Sequence, residues 1–384
     1  MLLPLLRPAQ LSLRTALLLF LLTVGACAGG TSGPSAASDD YRVVSMTSEL
    51  THPWAIAFLP DDSMLISERP GRLRIFRDGV LQPDPVPGLP AITATGQGGL
   101  LDLALHPGFE ENRWLYFTYA ASVDNGVTTR LARARFEDDR LHDIEVLFTA
   151  QPASRGGRHF GSRIVFDRDG YVFVSVGDRG DMPRAQRLDD HAGTIVRLHD
   201  DGRVPEDNPF VGRGDVLPEI YAYGVRNPQG MALHPKTGAL WEHEHGPRGG
   251  DEINIIEAGL NYGWPVISHG IDYSGAPIGA GIREKEGMDQ PLHYWTPSIA
   301  PSGMAFYRGD AFPDWEGDLL VGALAHRHLA RLSFDAGNEV VSEVRMLEAW
   351  GSRIRDVRVR DGLIYVLTDH DPGELLRIEP AGKP

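Results

Sequence analysis

The feature of the chain that most restricts its fold is a pair of β-patterned segments joined by a tight turn, which recurs six times. In one copy, two alternating apolar segments at residues 163–166 and 171–176 flank a turn that contains Asp169 and Gly170. An Asp-Gly step between two such segments is a strong hairpin signal, because both residues tolerate the positive φ angles of tight hairpin turns. The other leading strands are predicted at residues 54–59, 100–105, 230–233, 303–307 and 356–359, and their partner strands at 63–67, 113–117, 239–241, 318–321 and 363–367.

The spacing of these hairpins predicts how they assemble. Their starts lie roughly 45 to 80 residues apart, which suits about four strands per repeat and is typical of propeller blades. Six units predict an all-β, six-bladed β-propeller, with a pair of β-sandwiches as the alternative. The 44 glycines and 28 prolines agree with many short strands joined by turns. A long insertion is predicted between blades four and five, at residues 253–301, and its composition is typical of a binding loop.

The first 40 residues are predicted to be a targeting segment and a tether. Arg7 and Arg14 precede the apolar run 16–22, and small residues follow, which indicates a secretory signal at residues 1–28. Cys27, the only cysteine, lies where a bacterial lipoprotein is cleaved and lipidated, and ordinary cleavage at Ala26-Cys27-Ala28 is the alternative. Residues 29–40 are predicted to be a flexible polar tether and residues 41–384 the propeller domain. We therefore expect a periplasmic or cell-envelope protein, with a possible lipid anchor on the outer membrane.

The net charge restricts the partners of the chain. It is −15 at pH 7, which argues against nucleic acid, because phosphate binding needs a basic surface. An acidic surface is also typical of a soluble protein and permits either a monomer or a dimer.

Polar residues precede the leading strands of several blades in the same phase. If these strands line the channel of the propeller, their first residues meet at one mouth of it. Arginine forks bind carboxylates and stack on flat rings, and a histidine exchanges a proton near neutral pH. The set therefore predicts a site for a planar anionic ligand; its members are Gln97, His159, Arg226, Asn227, Gln229, Arg353 and Arg355. Taken singly, each of them is weak evidence, because a lone histidine near a strand start is more often a turn or core residue, and Arg353 and Arg355 alone could be a solvated strand face.

The segment 245–254 is a candidate metal site. Gly246-Pro247 and the glycine pair that follows make an irregular turn with outward carbonyls, and Asp251 and Glu252 add carboxylates. Oxygen ligands of this kind suit Ca²⁺. A second interpretation is a zinc site at His243 and His245, for which the sequence shows no clear third ligand. The remaining interpretation is a solvated acidic turn without a metal.

Several of these motifs together resemble the soluble quinoprotein glucose dehydrogenases and aldose sugar dehydrogenases, the glucose/sorbosone dehydrogenase family. The resemblance extends from about Val43 to Pro380, and the aldose sugar dehydrogenase branch is the most similar. Its most specific segments are 96–102 (GQGGLLD), 159–163 (HFGSR), 223–230 (YGVRNPQG), 245–254 (HGPRGGDEIN), 261–265 (NYGWP) and 353–357 (RIRDV).

The resemblance implies a six-bladed propeller that binds pyrroloquinoline quinone (PQQ), a flat tricarboxylate, together with Ca²⁺ over the channel mouth. It implies oxidation of aldose sugars at C1 to lactones, with electrons passed to an external acceptor. In that family pattern His159 is the general base, and Arg226 polarises the quinone carbonyl that receives the hydride.

The resemblance also implies the other contacts of the cofactor and the metal. Gln97 would orient the base and touch the cofactor or the substrate, and Asn227 and Gln229 would contact the cofactor. The further cofactor-binding residues that it implies are Tyr273, Leu324, Ala325, His326, Arg353, Ile354 and Arg355. Carbonyl oxygens of Gly246 and Pro247 would hold the cofactor-linked Ca²⁺, and Glu252 with the Tyr262 carbonyl would hold another Ca²⁺.

One position departs from the family pattern. The family usually places a lysine after Gly-Ala-Leu in blade five, where it contacts the quinone, but this chain has Ala325. Loss of that cation is expected to weaken PQQ binding or slow its reduction. His326 or Arg327 could take its place if the loop were shifted by one residue.

Two other functions compete with the dehydrogenase. One is a calcium-dependent propeller lactonase, which would use a metal-bound water and a histidine. The other is a propeller binding protein that has kept the scaffold and lost catalysis, of which Ala325 would be a sign. The arginine set favours the dehydrogenase, because a lactonase has no tricarboxylate to hold.

Overall fold

The structure, a computed structural model, describes residues 41–382 as a six-bladed β-propeller, which confirms the predicted fold class. Each of the six sheets has four antiparallel strands, and every predicted hairpin supplies the first two strands of a blade. The predicted signal segment, Cys27 and the tether lie outside the described residues. Within residues 41–382, no helix is both long and apolar enough to cross a membrane.

The first three blades follow the chain in order. Blade one contains β2 (Pro53–Phe58), β3 (Met64–Glu68), β4 (Arg72–Arg77) and β5 (Val80–Leu81). Blade two contains β6 (Leu100–Leu105), β7 (Trp114–Val123), β8 (Gly126–Glu137) and β9 (Arg140–Thr149). Blade three contains β10 (Ile164–Phe166), β11 (Val172–Val176), β12 (Thr194–Leu198) and β13 (Ile220–Tyr223).

The last three blades complete the ring. Blade four contains β14 (Pro228–Leu233), β15 (Leu240–Glu244), β16 (Asp251–Ile256) and β17 (His293–Trp295). Blade five contains β18 (Pro301–Phe306), β19 (Leu319–Ala323), β20 (Leu329–Phe334) and β21 (Val340–Met346). Blade six contains β22 (Ile354–Arg360), β23 (Leu363–Thr368) and β24 (Gly373–Pro380), and its outer strand is β1 (Tyr41–Leu50).

The pairing of β1 with β24 joins the two ends of the described chain in one sheet. Tyr41 lies opposite Pro380 and Leu50 opposite Gly373 in an antiparallel register. Because the first strand completes the last blade, the ring closes through backbone hydrogen bonds rather than a covalent link.

The long insertion is placed differently from the prediction. It lies inside blade four, between β16 and β17, and not between blades four and five. The segment 293–295, which was predicted to be part of the loop, pairs with β16 as the outer strand of the blade. The sequence signal was weak because the strand is three residues long and follows a long irregular segment.

Helical structure is confined to short turns on the periphery. They are α1 (Phe109–Asn112) and the 3₁₀ turns Met182–Gln186, Pro313–Trp315 and Glu348–Trp350. The core lies between blades, where aromatic and aliphatic side chains from neighbouring sheets interlock. Trp241 of blade four and Phe306 of blade five, for example, meet edge to face with ring centroids 5.3 Å apart.

A buried ionic network closes the channel at mid-height. Arg163 Nη1 lies 2.9 Å from an Asp102 carboxylate oxygen and 3.1 Å from one of Asp356. Arg358 bridges the same two carboxylates at 2.8 and 2.9 Å. The network joins blades two, three and six with two positive and two negative groups. It lies between a cavity at the mouth where the leading strands begin and a second cavity where they end.

Candidate active site

The cavity at the mouth where the leading strands begin has a volume of ≈ 380 Å³. Each blade contributes a few residues to its wall, because the strands converge on the propeller axis. Six of the predicted ligand-binding residues line it: Gln97, Asn227, Gln229, Leu324, Arg353 and Arg355. The structure therefore brings these six residues together at one mouth of the channel, and their binding of a ligand stays a prediction.

His159 lies beside this cavity and is held from two directions. Its ring Nδ1 is 2.6 Å from an Asp178 carboxylate oxygen, and its backbone N–H donates to the Gln97 side chain over 2.7 Å. The second Asp178 oxygen accepts a hydrogen bond of 2.8 Å from the Trp264 indole. His159 has a φ of 54°, an unusual conformation for a non-glycine residue that these contacts maintain.

The charge states of this pair follow from their surroundings. Burial lowers the pKa of His159, and the nearby Arg226 lowers it further, against the opposing effect of Asp178. Burial acts to raise the pKa of Asp178, but hydrogen bonds from His159 and Gly180 lower it overall. An ionised Asp178 can only accept, so His159 carries its proton on Nδ1. Its Nε2 therefore keeps a lone pair, as a general base requires.

Arg226 does not line the cavity itself, but it contacts His245, which does, and it is tightly fixed. Its Nη1 donates to the carbonyl oxygens of His245 and Gly246 over 2.9 and 3.0 Å, and its guanidinium lies 5.2 Å from the Trp264 ring centroid. Its backbone carbonyl accepts the Asp178 N–H over 2.7 Å. The predicted base and the predicted electrophilic residue are therefore joined through Asp178, at one end of the channel.

Two amides connect the histidine side of the cavity with the arginine side. The Asn227 side-chain oxygen accepts from the Gly161 N–H over 3.3 Å. Gln229 donates to the Gly161 carbonyl over 3.1 Å and accepts from Arg355 over 3.2 Å. The amides thus fix the loop that carries His159 relative to the arginines.

The opposite wall is rich in arginine. Asp369 is shared by Arg353 and Arg355, whose Nη2 atoms lie 3.1 and 3.0 Å from the same carboxylate oxygen. Burial acts to raise the pKa of Asp369, but these two arginines lower it well below its ordinary value. Arg353 also donates to the Leu324 carbonyl over 3.1 Å. Arg69 lies on the same wall, so three guanidinium groups face one carboxylate.

Five predicted cofactor residues do not line the cavity: Arg226, which contacts the lining residue His245, and Tyr273, Ala325, His326 and Ile354. Tyr273 is 65% exposed on the insertion, and Ala325 and His326 are exposed beside Leu324. The Ile354 side chain is buried in the core between blades five and six, so only its backbone can face the site. Arg327, the suggested substitute for the lysine, reaches the Gly351 carbonyl instead, and the described wall of the cavity contains no lysine.

The predicted metal ligands are buried but do not form a finished metal site. Among residues 41–382, no three His, Cys, Asp or Glu side chains are arranged to hold a metal ion, which also gives no support to zinc at His243 and His245. The Gly246 carbonyl accepts from Arg226, so a cation there would compete with that bond. Pro247 is buried in the same turn.

Glu252 belongs to a buried group of oxygen-bearing side chains on one face of blade four. It lies opposite Glu244 in the register of β15 and β16, and Glu242 lies opposite Asn254. Burial raises the pKa of Glu242 and Glu252 well above the ordinary value, and repulsion from Glu244 raises it further. Burial likewise raises the pKa of Glu244, to about 8.

Two oxygens of this group have no partner among the described residues. They are Glu242 Oε1 and Asn254 Oδ1, both buried. The Tyr262 hydroxyl is close enough for Glu242 to raise its pKa, after the larger effect of burial, and it donates to the Ile255 carbonyl over 2.6 Å. Unpaired hard oxygens among repelling carboxylates are an environment that a divalent cation would stabilise.

Three residues of the site were not predicted from the sequence, and they share one position. Arg69, Asp178 and Asp369 each follow the second strand of a blade, as does His245, which was predicted only as an alternative zinc ligand. The second strand runs antiparallel to the leading strand, so its end returns to the mouth where the leading strand begins. Their position at the ends of second strands can be recognised in the sequence, but their contacts with the cavity and with His159 depend on the register between strands.

Fold and site together define a propeller with a histidine–aspartate base beside an arginine-lined cavity. The chain belongs to the glucose/sorbosone dehydrogenase family, whose model matches residues 50–377. It is 45% identical to aldose sugar dehydrogenase YliI of Escherichia coli over 90% of this chain and 94% of that protein. The resemblance inferred from the motifs is therefore confirmed.

Solved structures agree with this family. The apo form of the soluble aldose sugar dehydrogenase of E. coli superposes with a TM-score of 0.86 at 45% identity, and the match covers 89% of this chain and 100% of that chain. The PQQ-bound form of an aldose sugar dehydrogenase from Streptomyces coelicolor shares the fold, with a TM-score of 0.72 at 24% identity over 90% and 100% of the two chains. Quinoprotein glucose dehydrogenase B of Acinetobacter calcoaceticus is 28% identical over 87% of this chain and 86% of that protein.

Proposed function

We propose that the chain oxidises aldose sugars at C1 to lactones, with PQQ and Ca²⁺ as cofactors, and passes the electrons to an external acceptor. The observation that carries the proposal is the neutral His159, held by Asp178 beside a cavity with three arginines and one aspartate. The names of the relatives, a quinoprotein glucose dehydrogenase and aldose sugar dehydrogenases, support the same chemistry.

The cavity fits a flat tricarboxylate. Trp54 offers an aromatic surface on its wall, and the guanidinium of Arg163 lies 4.5 Å from the Trp54 ring centroid in the network that closes the channel. The wall carries three positive charges, on Arg69, Arg353 and Arg355, and one negative charge, on Asp369. It therefore favours a ligand with several negative charges. When bound, the quinone supplies the two-electron acceptor that no amino-acid side chain provides.

The residues of the chain supply the proton chemistry and the positioning. His159 Nε2 takes the proton of the sugar hydroxyl, and Asp178 stabilises the cationic imidazole that results. Arg226 places a fixed positive charge where negative charge develops, and burial strengthens its effect. Gln97, through its bond to the His159 backbone, keeps the base in position.

The buried carboxylates of blade four fit Ca²⁺ by the chemistry of their oxygens. We assign a calcium site to Glu252 and the Tyr262 carbonyl, with Glu242, Glu244 and Asn254 as neighbours able to contribute oxygen. The unpaired Glu242 and Asn254 oxygens support this assignment. Carbonyls of Gly246 and Pro247 remain the proposed ligands of the cofactor-linked Ca²⁺.

The cellular context is proposed from the sequence. The signal-like segment 1–28 supports export to the periplasm, and Cys27 supports a lipid anchor at the cell envelope. An exported enzyme would reach sugars and electron acceptors outside the cytoplasm.

Dye reduction tests the proposed activity. Purified apoprotein is mixed with PQQ and Ca²⁺, and reduction of an artificial electron acceptor is followed with a panel of aldoses, beside controls that lack PQQ or sugar. We expect reduction that requires both PQQ and an aldose. Absence of reduction with every sugar, together with hydrolysis of a lactone, would replace the proposal with the lactonase function.

A further inference from the structure

Arg69 is a cavity residue to which neither the motifs nor the family resemblance gave a role. It follows β3 of blade one, and its backbone is fixed on both sides by hydrogen bonds with His52 and Leu100 over 3.0 and 3.1 Å. Its side chain is half-buried, and its Nη1 donates to the Gly96 carbonyl. The residue therefore presents a guanidinium to the cavity from a rigid strand end.

The charges around Arg69 are unbalanced. Asp369 is the only carboxylate on the described wall of the cavity, and it is already bonded to Arg353 and Arg355. Burial lowers the pKa of Arg69, and Arg355 and Arg353 lower it further, while Asp369 opposes them. Among residues 41–382, Arg69 makes no ion pair, so its charge is compensated only at a distance.

The charges on the cavity wall differ from those of the buried network beneath the cavity, where positive and negative groups are equal in number. There Arg163 and Arg358 are matched by Asp102 and Asp356, and every guanidinium contacts both carboxylates. A buried ion network that only stabilises the fold pairs every charge with an opposite one, because an unmatched buried charge is destabilising. The cavity wall instead keeps a surplus of two positive charges, which an anionic ligand would neutralise.

We propose that Arg69 is a third carboxylate-binding arginine of the site, contributed by blade one, which together with Arg353 and Arg355 holds the acidic groups of the cofactor. The inference rests on the proposed function, because it assigns the ligand as PQQ. It also explains how the site can keep a third cation although position 325 is alanine.

Equilibrium binding of PQQ to apoprotein variants tests the role of Arg69 without turnover. Arg69→Gln is compared with Arg69→Lys and with Arg168→Gln, an exposed arginine at the opposite mouth of the channel whose guanidinium contacts backbone carbonyls. Loss of one charge-assisted pair should weaken PQQ binding about tenfold or more in Arg69→Gln, and less in Arg69→Lys. Arg168→Gln should bind as the unmodified protein does.

A second readout separates binding from a structural role. The apoprotein with Arg69→Gln should melt at the same temperature as the unmodified protein or higher, because a like-charge repulsion is removed. Its PQQ affinity should also depend less on salt concentration, because one ionic contact is missing. A lower melting temperature with unchanged PQQ affinity would overturn the inference.

Failure of the proposed function can be distinguished from failure of the assignment of Arg69. If the unmodified protein does not bind PQQ, that function falls, and Arg69 is then tested with a benzene tricarboxylate as a probe that lacks the quinone. The probe should raise the melting temperature of the unmodified protein and of Arg168→Gln, and have little effect on Arg69→Gln. An equal rise in all three proteins would show that Arg69 does not bind carboxylates.

Discussion

At the scale of single residues, the reactivity of the site depends on the hydrogen bond between Asp178 and His159. The carboxylate fixes the proton on Nδ1 and leaves Nε2 as the acceptor. The same carboxylate is held by the Trp264 indole, so the orientation of the base is fixed by the insertion of blade four. A base fixed in this way loses little entropy when substrate binds.

Replacement of the base tests its assignment. We expect His159→Ala to lower kcat for dye reduction by about a factor of 10² to 10⁴, the usual contribution of a general base, while PQQ still binds. Stopped-flow reduction of the PQQ-loaded protein and a PQQ titration measure the two effects separately. His142→Ala, at an exposed histidine, is the control, and full turnover by His159→Ala would refute the assignment.

The pH profile reports the environment of the base. The neutral imidazole is active, and the His159 pKa lies below its ordinary value, so kcat/KM should persist below pH ~6.5 and fall only at lower pH. Asp178 opposes that shift, so Asp178→Asn should move the acid limb to still lower pH while kcat decreases because the imidazole is no longer oriented. An acid limb at higher pH in Asp178→Asn would contradict this electrostatic account.

The sequence was more informative about residues that precede leading strands than about those that follow second strands. The convergence of five residues on one cavity followed from their common phase relative to the hairpins, which is visible in one chain, and their roles stay predictions; they are Gln97, Asn227, Gln229, Arg353 and Arg355. Asp178 and Arg69 were not identified, because their role depends on a register between strands that the sequence does not reveal. Tyr273 and the calcium ligands remain predictions, since the family resemblance gave them without a geometric argument.

At the scale of elements, β15 and β16 place two carboxyl groups in direct register. Glu244 faces Glu252 on a buried sheet surface, where two ionised carboxylates destabilise the pairing, and burial raises the pKa of both groups. Such an arrangement is expected where a bound cation compensates the repulsion. The acidic turn predicted from the sequence is therefore only one part of a group that includes both strands.

Removal of calcium should expose this repulsion. We expect dialysis against a chelator to lower the melting temperature and added Ca²⁺ to restore it, because binding to the native state stabilises the fold. Glu252→Gln should reduce the stabilisation by Ca²⁺, whereas Glu284→Gln, at an exposed position of the same insertion, should keep it. An identical response to Ca²⁺ in both variants would exclude Glu252 as a ligand.

The loop after β19 carries the departure at position 325. A lysine there would start beside Leu324, which lines the cavity, and could extend its ammonium group toward bound carboxylates. We expect Ala325→Lys to tighten PQQ binding in an equilibrium titration, with Ala325→Met as the uncharged control of similar length. Equal affinities in the two variants would show that a charge at this position is unimportant.

At the scale of the whole molecule, six separate sheets are arranged around one central channel. In five of the six blades the innermost strand pairs with the second strand through a register shift. The network of Arg163, Arg358, Asp102 and Asp356 joins three blades across the channel. The number of blades was predictable because the hairpin signal repeats. The network and the position of β17 were not, because they depend on contacts between distant segments.

Disruption of this network should destabilise the whole ring. Arg163→Met leaves two buried carboxylates with one arginine, and breaking a buried ion pair in this way costs about 3–5 kcal/mol. Urea unfolding measures the loss, and Arg187→Met, at an exposed pair with Asp189, should change stability little. Similar stability of Arg163→Met and the unmodified protein would show that the network does not hold the blades together.

The most direct measurement of the central claim is a crystal structure of the protein soaked with PQQ and Ca²⁺. Residues from separate blades should surround one bound quinone, with its carboxylates on Arg69, Arg353 and Arg355 and His159 Nε2 facing its reactive edge. A structure in which PQQ is bound elsewhere, or in which those arginines stay bonded only to Asp369 and backbone, would contradict it.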